Sequence, residues 1–184
     1  MNSWWYALEK EVPVSVCDAI LSLYDNQQTH SGRIAENQKD VKIRNSSVIG
    51  FPYGTTNNDK INEILEKYIV MANSECFGFS LNGFREFQIA KYEENNHYKK
   101  HIDLRLEDRI STRKLSITLQ LSSATDYEGG EFLFSSDIRT PRQSIIKQKG
   151  TLIIFPSFLY HQVTPVTKGS RYSLVGWYEG SNWN

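Results

Sequence analysis

The chain has 184 residues, 39% of them hydrophobic, and its 21 basic and 21 acidic side chains give a formal net charge of zero. That balance argues against a basic nucleic-acid binder and against a polybasic protein of membrane surfaces. The composition is too rich in core-forming residues for a disordered chain, and no apolar run approaches the roughly 20 residues of a membrane span. Because the first residues lack a basic head and an apolar stretch, we expect no secretory signal and a cytoplasmic location.

Two helices are predicted in the first half of the chain. Pro13 precedes a segment whose apolar residues recur at intervals of three or four, which is typical of an amphipathic helix. A second stripe of this kind predicts a helix over about 60–74, with Asn58 or Asp59 as its N-terminal cap. Residues 41–51, between the two helices, are strand-like. We expect both helices to pack on one face of a sheet.

From Phe84 onward the sequence changes to short segments rich in β-branched and aromatic residues, separated by glycine-containing turn signals. Eight segments are predicted strands: 84–92, 97–103, 114–122, 130–134, 143–148, 151–155, 158–163 and 171–178. Such a series is typical of a jelly roll, also called a double-stranded β-helix. The predicted fold is therefore one domain over 1–184, mainly β with flanking helices, in which residues 1–83 support a jelly-roll core over 84–180. A β-sandwich without chemistry is the alternative.

His101 and His161 lie within predicted strands, where a purely structural core would favour apolar residues. His101 and Asp103 are two residues apart, so a strand would point both side chains to the same face. With His161 they form the set of two imidazoles and one carboxylate that holds Fe(II) and leaves positions open for reactants. Zinc accepts the same ligands in a tetrahedral site. The alternatives are a chance H-x-D pattern and a buried His161 bonded to a backbone carbonyl.

Arg171 follows His161 by ten residues and lies in the last predicted strand. Strand alternation places Arg171, Ser173, Val175 and Trp177 on one face. If that face is the interior, the guanidinium needs an anion, because an unpaired buried charge is very costly. Arginine grips a carboxylate through two parallel hydrogen bonds, and the Ser173 hydroxyl can add another. The alternative is an Arg171 that faces solvent or pairs with an acidic residue of the chain.

Four motifs occur in order along the chain. They are Y-x-x-N-x-x-Y-x-x-H-x-D from Tyr92 to Asp103, E-G-G-E from Glu128, H-x-V-x-P-V from His161, and Arg171. Together they resemble the Fe(II)/2-oxoglutarate-dependent oxygenases, and among these the prolyl-4-hydroxylase-like group with its PKHD-type hydroxylases.

The resemblance implies a role for seven residues. The implied iron ligands are His101, Asp103 and His161. The implied 2-oxoglutarate-binding residues are Arg171, which would bind the distal carboxylate, Ser173, which would assist it, and Tyr92 and Gln120.

The resemblance also implies a dioxygenase that hydroxylates an unactivated C–H bond while it decarboxylates 2-oxoglutarate to succinate and CO₂. The expected cofactor is Fe(II), with O₂ as the second cosubstrate and ascorbate as reductant. The expected substrate is a prolyl residue of a protein or peptide, and a free amino acid, a small metabolite or a nucleobase is the alternative. A cupin-type metal-binding protein without 2-oxoglutarate and a non-catalytic interaction module are the competing classes.

Two positions depart from the family pattern. Asn95 replaces a frequent glycine, although asparagine tolerates left-handed backbone, and Phe132 replaces a frequent threonine, which removes a hydroxyl near the cosubstrate. The polar segments 29–42 and 104–113 are predicted lids over the pocket. Arg113, at the end of the second segment, is expected in a solvated loop of mixed charge, or else in a basic group that steers an acidic substrate.

Overall fold

The computed structural model describes residues 4–25, 30–31, 42–104, 112–135 and 137–183. The helices are α1 (Val14–Asp25), α2 (Thr56–Ala72) and the short α3 (Gln143–Ile146), and a π-helical turn (Asn73–Phe77) follows α2. The strands are β1 (Tyr6–Leu8), β2 (His30–Ser31), β3 (Arg44–Asn45), β4 (Ser47–Phe51), β5 (Leu81–Tyr92), β6 (His97–His101), β7 (Arg113–Gln120), β8 (Tyr127–Gly129), β9 (Phe132–Phe134), β10 (Leu152–Pro156), β11 (His161–Val163), β12 (Val166–Gly169) and β13 (Arg171–Gly180). Most of the two predicted lids lies outside the described residues.

Both long helices form where the sequence predicts them. α1 begins directly after Pro13, whose carbonyl accepts the first amide hydrogen bonds of the helix. The predicted cap of α2 at Asn58 or Asp59 is wrong. Thr55 caps this helix, because it has extended backbone and its hydroxyl accepts a hydrogen bond from the Asn58 amide at 3.4 Å. Asn58 lies inside the helix, and its side-chain amide donates to the Phe51 carbonyl at 2.8 Å.

Seven antiparallel strands form the larger sheet, in the order β1-β10-β7-β13-β5-β4-β2. β13 lies at its centre, paired with β5 on one side and with β7 on the other. One face of this sheet packs against α1 and α2 in an apolar cluster, so the helices cover the sheet as predicted. Fully buried members of that cluster include Cys17, Leu65, Ile89, Leu119 and Leu174.

The smaller sheet has the strand order β3-β6-β11-β9, and β8 and β12 form a separate pair. A second apolar cluster joins the inner face of the larger sheet to this smaller one. Facing antiparallel sheets of this kind are the predicted jelly-roll arrangement, which is thereby confirmed. Within the described part of the chain, no helix has the length and the apolar character needed to cross a bilayer.

One predicted strand, residues 143–148, is wrong, because this segment contains α3. The amides of Ile145 and Ile146 both bond to the Arg142 carbonyl, which makes a helical turn. Strand propensity reflects packing against a neighbouring strand, and among the described residues this segment has none. The short strands β1, β8 and β12 were missed, since three or four residues carry little alternation.

Gly176, in the central strand β13, tests the packing between the larger sheet and its helix-side core. A Cβ at this position would collide with the Phe87 ring and lie 3.2 Å from Ile117 Cγ1. We expect Gly176→Ala to lower the free energy of unfolding by about 1–3 kcal/mol in urea denaturation. The control is Gly50→Ala on β4, where an added Cβ meets no atom within 4 Å. A Gly176→Ala protein as stable as this control would contradict the packing described here.

Candidate active site

Three potential metal ligands meet where β6 and β11 pair in the smaller sheet. His101 ends β6, His161 begins β11, and the two residues are register partners. Asp103 Oδ1 lies 3.7 Å from His101 Nε2, and Asp103 Oδ2 lies 3.5 Å from His161 Nε2. One ligand atom from each residue lies within 4.8 Å of the other two. The structure thus brings together the three donors that the sequence singled out.

The strand predicted to carry both His101 and Asp103 is shorter than expected. β6 ends at His101, so strand alternation does not orient the Asp103 side chain. The Asp103 amide donates to the Ser157 carbonyl at 2.9 Å, and Ser116 Oγ donates to Asp103 Oδ2 at 2.7 Å. The guanidinium of Arg113 reaches the Asp103 carbonyl at 3.4 Å. Residues on or next to strands of the larger sheet therefore position this carboxylate.

Both imidazoles are oriented by backbone carbonyls. His101 Nδ1 lies 2.8 Å from the Lys99 carbonyl, and His161 Nδ1 lies 2.9 Å from the Leu159 carbonyl. Because a carbonyl oxygen only accepts, each Nδ1 carries a proton, and in a neutral ring Nε2 therefore keeps the lone pair on the side of Asp103. The carbonyl bond of His161 fits a structural histidine, and it is equally the bond that orients a metal-binding histidine.

Burial and the neighbouring groups set the protonation states of the cluster. Burial, reinforced by nearby His161, lowers the pKa of His101 to about 3. Burial by itself would raise the pKa of Asp103, but the two imidazoles, Arg113 and the Ser116 hydrogen bond outweigh it, so the pKa is lowered. At neutral pH the site therefore holds a neutral His101 and an ionised Asp103, which are the forms that bind a metal ion.

The three donors line a pocket of about 450 Å³, its open mouth included, between the two sheets. Arg171, Ser173, Val175 and Trp177 of β13 line the same pocket, in agreement with the predicted alternation. Arg171 is only 4% exposed, which excludes the alternative in which it faces solvent. Its Nη1 lies 3.4 Å from Ser173 Oγ. No carboxylate of the described residues forms an ion pair with it.

Of the other two predicted cosubstrate residues, one lines the pocket and the other does not. Tyr92 lines it, with the Arg171 guanidinium 5.6 Å from its ring centroid. Gln120 does not line it, and its Nε2 donates to the Tyr127 hydroxyl at 3.2 Å and to the Ser122 carbonyl at 3.2 Å. Burial raises the pKa of Tyr127, and the nearby positive charge of Arg171 opposes that rise. Gln120 thus contacts a neighbour of Arg171, and its direct contact with a cosubstrate stays a prediction.

Two pocket residues were given no role at the sequence level. The Tyr98 ring stacks on His101, with centroids 3.4 Å apart and an angle of 13° between the planes. The Arg44 guanidinium lies 4.7 Å from the Tyr98 ring centroid, and both side chains line the pocket. Tyr98 stands in the Y-x-x-H-x-D motif, which was the available signal. No sequence pattern pointed to Arg44, since the position of this residue in the pocket depends on the pairing of β3 with β6.

Arg113 is not part of a solvated loop, so that prediction is wrong. It begins β7, is 8% exposed, and its guanidinium lies 4.0 Å from the Trp177 ring centroid. Its Nη2 pairs with Glu86 Oε2 at 3.3 Å. These contacts, together with the bond to the Asp103 carbonyl, fix the back of one pocket wall. The neighbouring arginines 105 and 109 lie outside the described residues.

Both departures from the family pattern have a structural counterpart. Asn95 adopts a φ of 67°, the left-handed conformation that a glycine would adopt without strain. The Phe132 ring lies 5.6 Å from the His161 ring and 5.7 Å from the Phe155 ring, so it adds an apolar wall beside His161. Gly130 has a φ of 55°, and a Cβ there would lie 3.2 Å from Arg171 Cδ. The E-G-G-E motif therefore leaves room for the arginine.

Residues 87–179 match the model of the 2OG-Fe(II) oxygenase superfamily. The match covers about half of the chain and contains the three donors and Arg171. The chain belongs to this superfamily. Membership implies Fe(II), 2-oxoglutarate and O₂ as cofactor and cosubstrates.

Individual relatives agree with this assignment. A PKHD-type hydroxylase of Idiomarina loihiensis is 38% identical over 89 residues, which are 48% of this chain and 39% of that protein. A PKHD-type hydroxylase of a Synechococcus strain is 28% identical over 163 residues, which are 86% of this chain and 70% of that protein. The segment matched in the first relatives thus spans only about two fifths of their length.

Solved structures agree on the fold. A prolyl-4-hydroxylase of Pseudomonas putida superposes with a TM-score of 0.74 at 20% identity, over 97% of this chain and 93% of that chain. A Trichoplax adhaerens prolyl hydroxylase, in complex with a peptide fragment of the oxygen degradation domain of hypoxia inducible factor, gives a TM-score of 0.77 at 19% identity. That match covers 97% of this chain and 84% of the other.

The residues present fit an iron ion. Two imidazole nitrogens and one carboxylate oxygen lie within 4.8 Å of one another on the wall of an open pocket, and two histidines with one carboxylate are the donor set of facial Fe(II) sites. His101, Asp103 and His161 would hold the metal. Only Cys17 and Cys76 could offer thiolates, and neither belongs to the cluster.

The depressed pKa of His101 predicts a pH dependence of the metal-free protein. The pKa of His101 is about 3 in the folded state and 6.5 in the unfolded state. At pH values between these two, the unfolded chain therefore binds one more proton than the folded protein. The free energy of unfolding therefore rises with pH. As the pH falls below the unfolded-state pKa of His101, the burial of this residue lowers the free energy of unfolding by up to about 1.4 kcal/mol per pH unit. Urea denaturation in EDTA, from about pH 7 to about pH 5, measures the slope. In this window Asp103 is ionised in both states, because its folded pKa lies below 3.8.

We expect His101→Gln to flatten this slope and His97→Gln, four residues earlier on the same strand, to preserve it. An unchanged slope in His101→Gln would show that burial of His101 does not cause the pH dependence.

Proposed function

We propose that this protein is an Fe(II)- and 2-oxoglutarate-dependent dioxygenase that hydroxylates a prolyl residue of a protein or peptide. The reaction would couple hydroxylation of an unactivated C–H bond to decarboxylation of 2-oxoglutarate to succinate and CO₂. Ascorbate would serve as the reductant that keeps the iron ferrous.

The observation that carries the proposal is the buried Arg171 in the same pocket as the three metal donors. A guanidinium at 4% exposure with no carboxylate partner among the described residues calls for an anionic ligand. A dicarboxylic keto acid satisfies both ends of the pocket, since one carboxylate can meet Arg171 while the keto-acid end reaches the metal. A cupin-type metal protein would have no such need for Arg171.

The residues of the chain would act mainly by binding and exclusion. Bound iron would supply the activation of O₂ and the oxygen-atom transfer. Arg171 and Ser173 would hold the distal carboxylate, and apolar walls that include Phe132 and Phe155 would keep water from the reacting atoms. None of these roles requires a side chain that gives or takes a proton.

Two aromatic walls support a prolyl substrate. Tyr98 and Trp177 both line the pocket beside the metal donors. A proline ring is apolar and its nitrogen carries no proton, so aromatic walls suit it better than they suit a charged metabolite. The PKHD-type and prolyl hydroxylases among the similar proteins support the same substrate class.

The activity is tested with purified protein, Fe(II), ascorbate and 2-oxoglutarate, with and without a library of proline-containing peptides. We expect succinate formation that peptides stimulate, and products heavier by one oxygen atom at proline. His101→Ala or Asp103→Ala should abolish iron-dependent succinate formation, because each removes a donor, whereas His97→Ala should retain it. Stimulation by a free amino acid, a small metabolite or a nucleobase in place of peptides would contradict the prolyl substrate. Succinate formation that survives loss of His101 would contradict the metal assignment.

The cosubstrate role of Arg171 is tested by 2-oxoglutarate binding to the Mn(II)-loaded protein. Arg171→Met keeps the side-chain length but removes the charge, and we expect at least about 30-fold weaker binding, because a buried charge contact is worth 2 kcal/mol or more. Tyr127→Phe removes only a polar hydroxyl near Arg171, so a loss of about 2- to 10-fold is expected. Equal affinity in wild-type protein and Arg171→Met would contradict the role of this residue.

A further inference from the structure

We propose that Ser116, supported by Ser157, is a positioning residue that presets the Asp103 carboxylate for metal binding. The proposal rests on the proposed function in one respect, namely that Asp103 is a metal ligand. Nothing in the sequence motifs points to either serine, since Ser116 is one of several polar residues in the buried strand β7 and Ser157 follows β10.

Asp103 needs such support because it belongs to no regular element. His101 and His161 are fixed by strand pairing and by carbonyl bonds on Nδ1, whereas Asp103 lies beyond the end of β6. Its backbone is held by the Ser157 carbonyl at 2.9 Å. A backbone bond leaves the carboxylate free to rotate about its own side-chain torsions. Among the described hydroxyls, that of Ser116 is the one that restrains this rotation directly.

The direction of the hydrogen bonds follows from the chemistry of the partners. An ionised Asp103 carboxylate can only accept, so Ser116 uses its single proton on Oδ2 at 2.7 Å. In the 2.9 Å contact between the two serine hydroxyls, Ser157 must then be the donor. Ser116 is 1% exposed and Ser157 is fully buried, so bulk water does not compete for either hydroxyl. The result is a series of two hydrogen bonds, in which Ser157 donates to Ser116 and Ser116 donates to Asp103.

These two hydrogen bonds fix the plane of the carboxylate relative to both imidazoles. With Oδ2 held by Ser116, Oδ2 lies 3.5 Å from His161 Nε2 and Oδ1 lies 3.7 Å from His101 Nε2. All three donors are thereby grouped before any metal binds. Partners outside the ligand set that orient ligands in this way typically contribute about 10- to 100-fold to metal affinity.

The competing explanation is that Ser116 is a satisfied core serine whose hydrogen bond serves only stability. The two explanations differ in metal affinity, which can be measured without cosubstrate or turnover. The chain also offers a matched control: Ser122, just after β7, is 3% exposed, and its Oγ accepts from the Tyr172 amide at 2.7 Å, away from Asp103.

The experiment measures the dissociation constant for Mn(II) with the full chain by titration calorimetry, below the unfolding transition of each variant. We expect Ser116→Ala to weaken binding by about 10- to 100-fold, and Ser157→Ala to weaken it less, because the direct bond to Asp103 survives. Ser116→Thr keeps the hydroxyl and should bind within a few-fold of wild type. Ser122→Ala should bind as wild type does.

Each outcome decides between the explanations. Equal affinity in Ser116→Ala and wild type overturns the positioning role while leaving the proposed function intact. An equal loss in Ser116→Ala and Ser122→Ala overturns it as well, since any buried serine would then have the same effect. If Ser116→Thr binds Mn(II) as weakly as Ser116→Ala, the hydroxyl is not responsible for the effect. If Ser157→Ala binds Mn(II) as tightly as wild type, Ser157 has no part in positioning Asp103. Wild-type protein that does not bind Mn(II) contradicts both this proposal and the proposed function.

Discussion

A buried positive charge without a counter-charge of its own shapes this protein. Arg171 lies at 4% exposure in the central strand of the larger sheet, and none of the described carboxylates pairs with it. Such a charge is tolerable in the folded protein only if hydrogen bonds and an anionic ligand compensate for the lost water. The surrounding residues fit this requirement, because Ser173 Oγ lies 3.4 Å from Nη1 of the guanidinium, the polar Tyr127 is a close neighbour and Gly130 leaves the side chain room.

The two-sheet architecture separates the proposed binding residue for the anion from the proposed ligands of the metal. β13 of the larger sheet carries Arg171, whereas β6 and β11 of the smaller sheet carry the two histidines. The pocket lies between them, so one small dicarboxylic molecule can span from one sheet to the other. The alternate residues of β13 enter the helix-side core, which means that the same strand stabilises the fold and lines the pocket. A change of register in β13 would disturb both at once.

Asp103 connects the two sheets at the candidate metal site. It extends from the smaller sheet, but its contacts run to Ser116, Ser157 and Arg113, which lie on or beside strands of the larger sheet. The Arg113 guanidinium also packs against the ring of Trp177, which lines the pocket. One arginine therefore contacts both the Asp103 residue and a wall of the pocket. The geometry of the candidate metal centre therefore depends on how the sheets pack as well as on the three donors themselves.

The sequence alone determined the features that depend on neighbours along the chain. The helical stripes and the alternation of β13 follow from local spacing, because helices and strands repeat every few residues. The donor set of His101, Asp103 and His161 was indicated by residue type and by the family resemblance. The left-handed backbone at Asn95 agrees with the glycine that the family often has there and with the tolerance of asparagine for this conformation. Tertiary structure decided what depends on partners far along the chain. The early end of β6, the helical turn over 143–146 and the support of Asp103 by Ser116 arise from contacts between segments that no local pattern connects. Physically, a side chain's hydrogen-bond partner is set by strand pairing and packing, and the spacing of residues within one segment does not encode either.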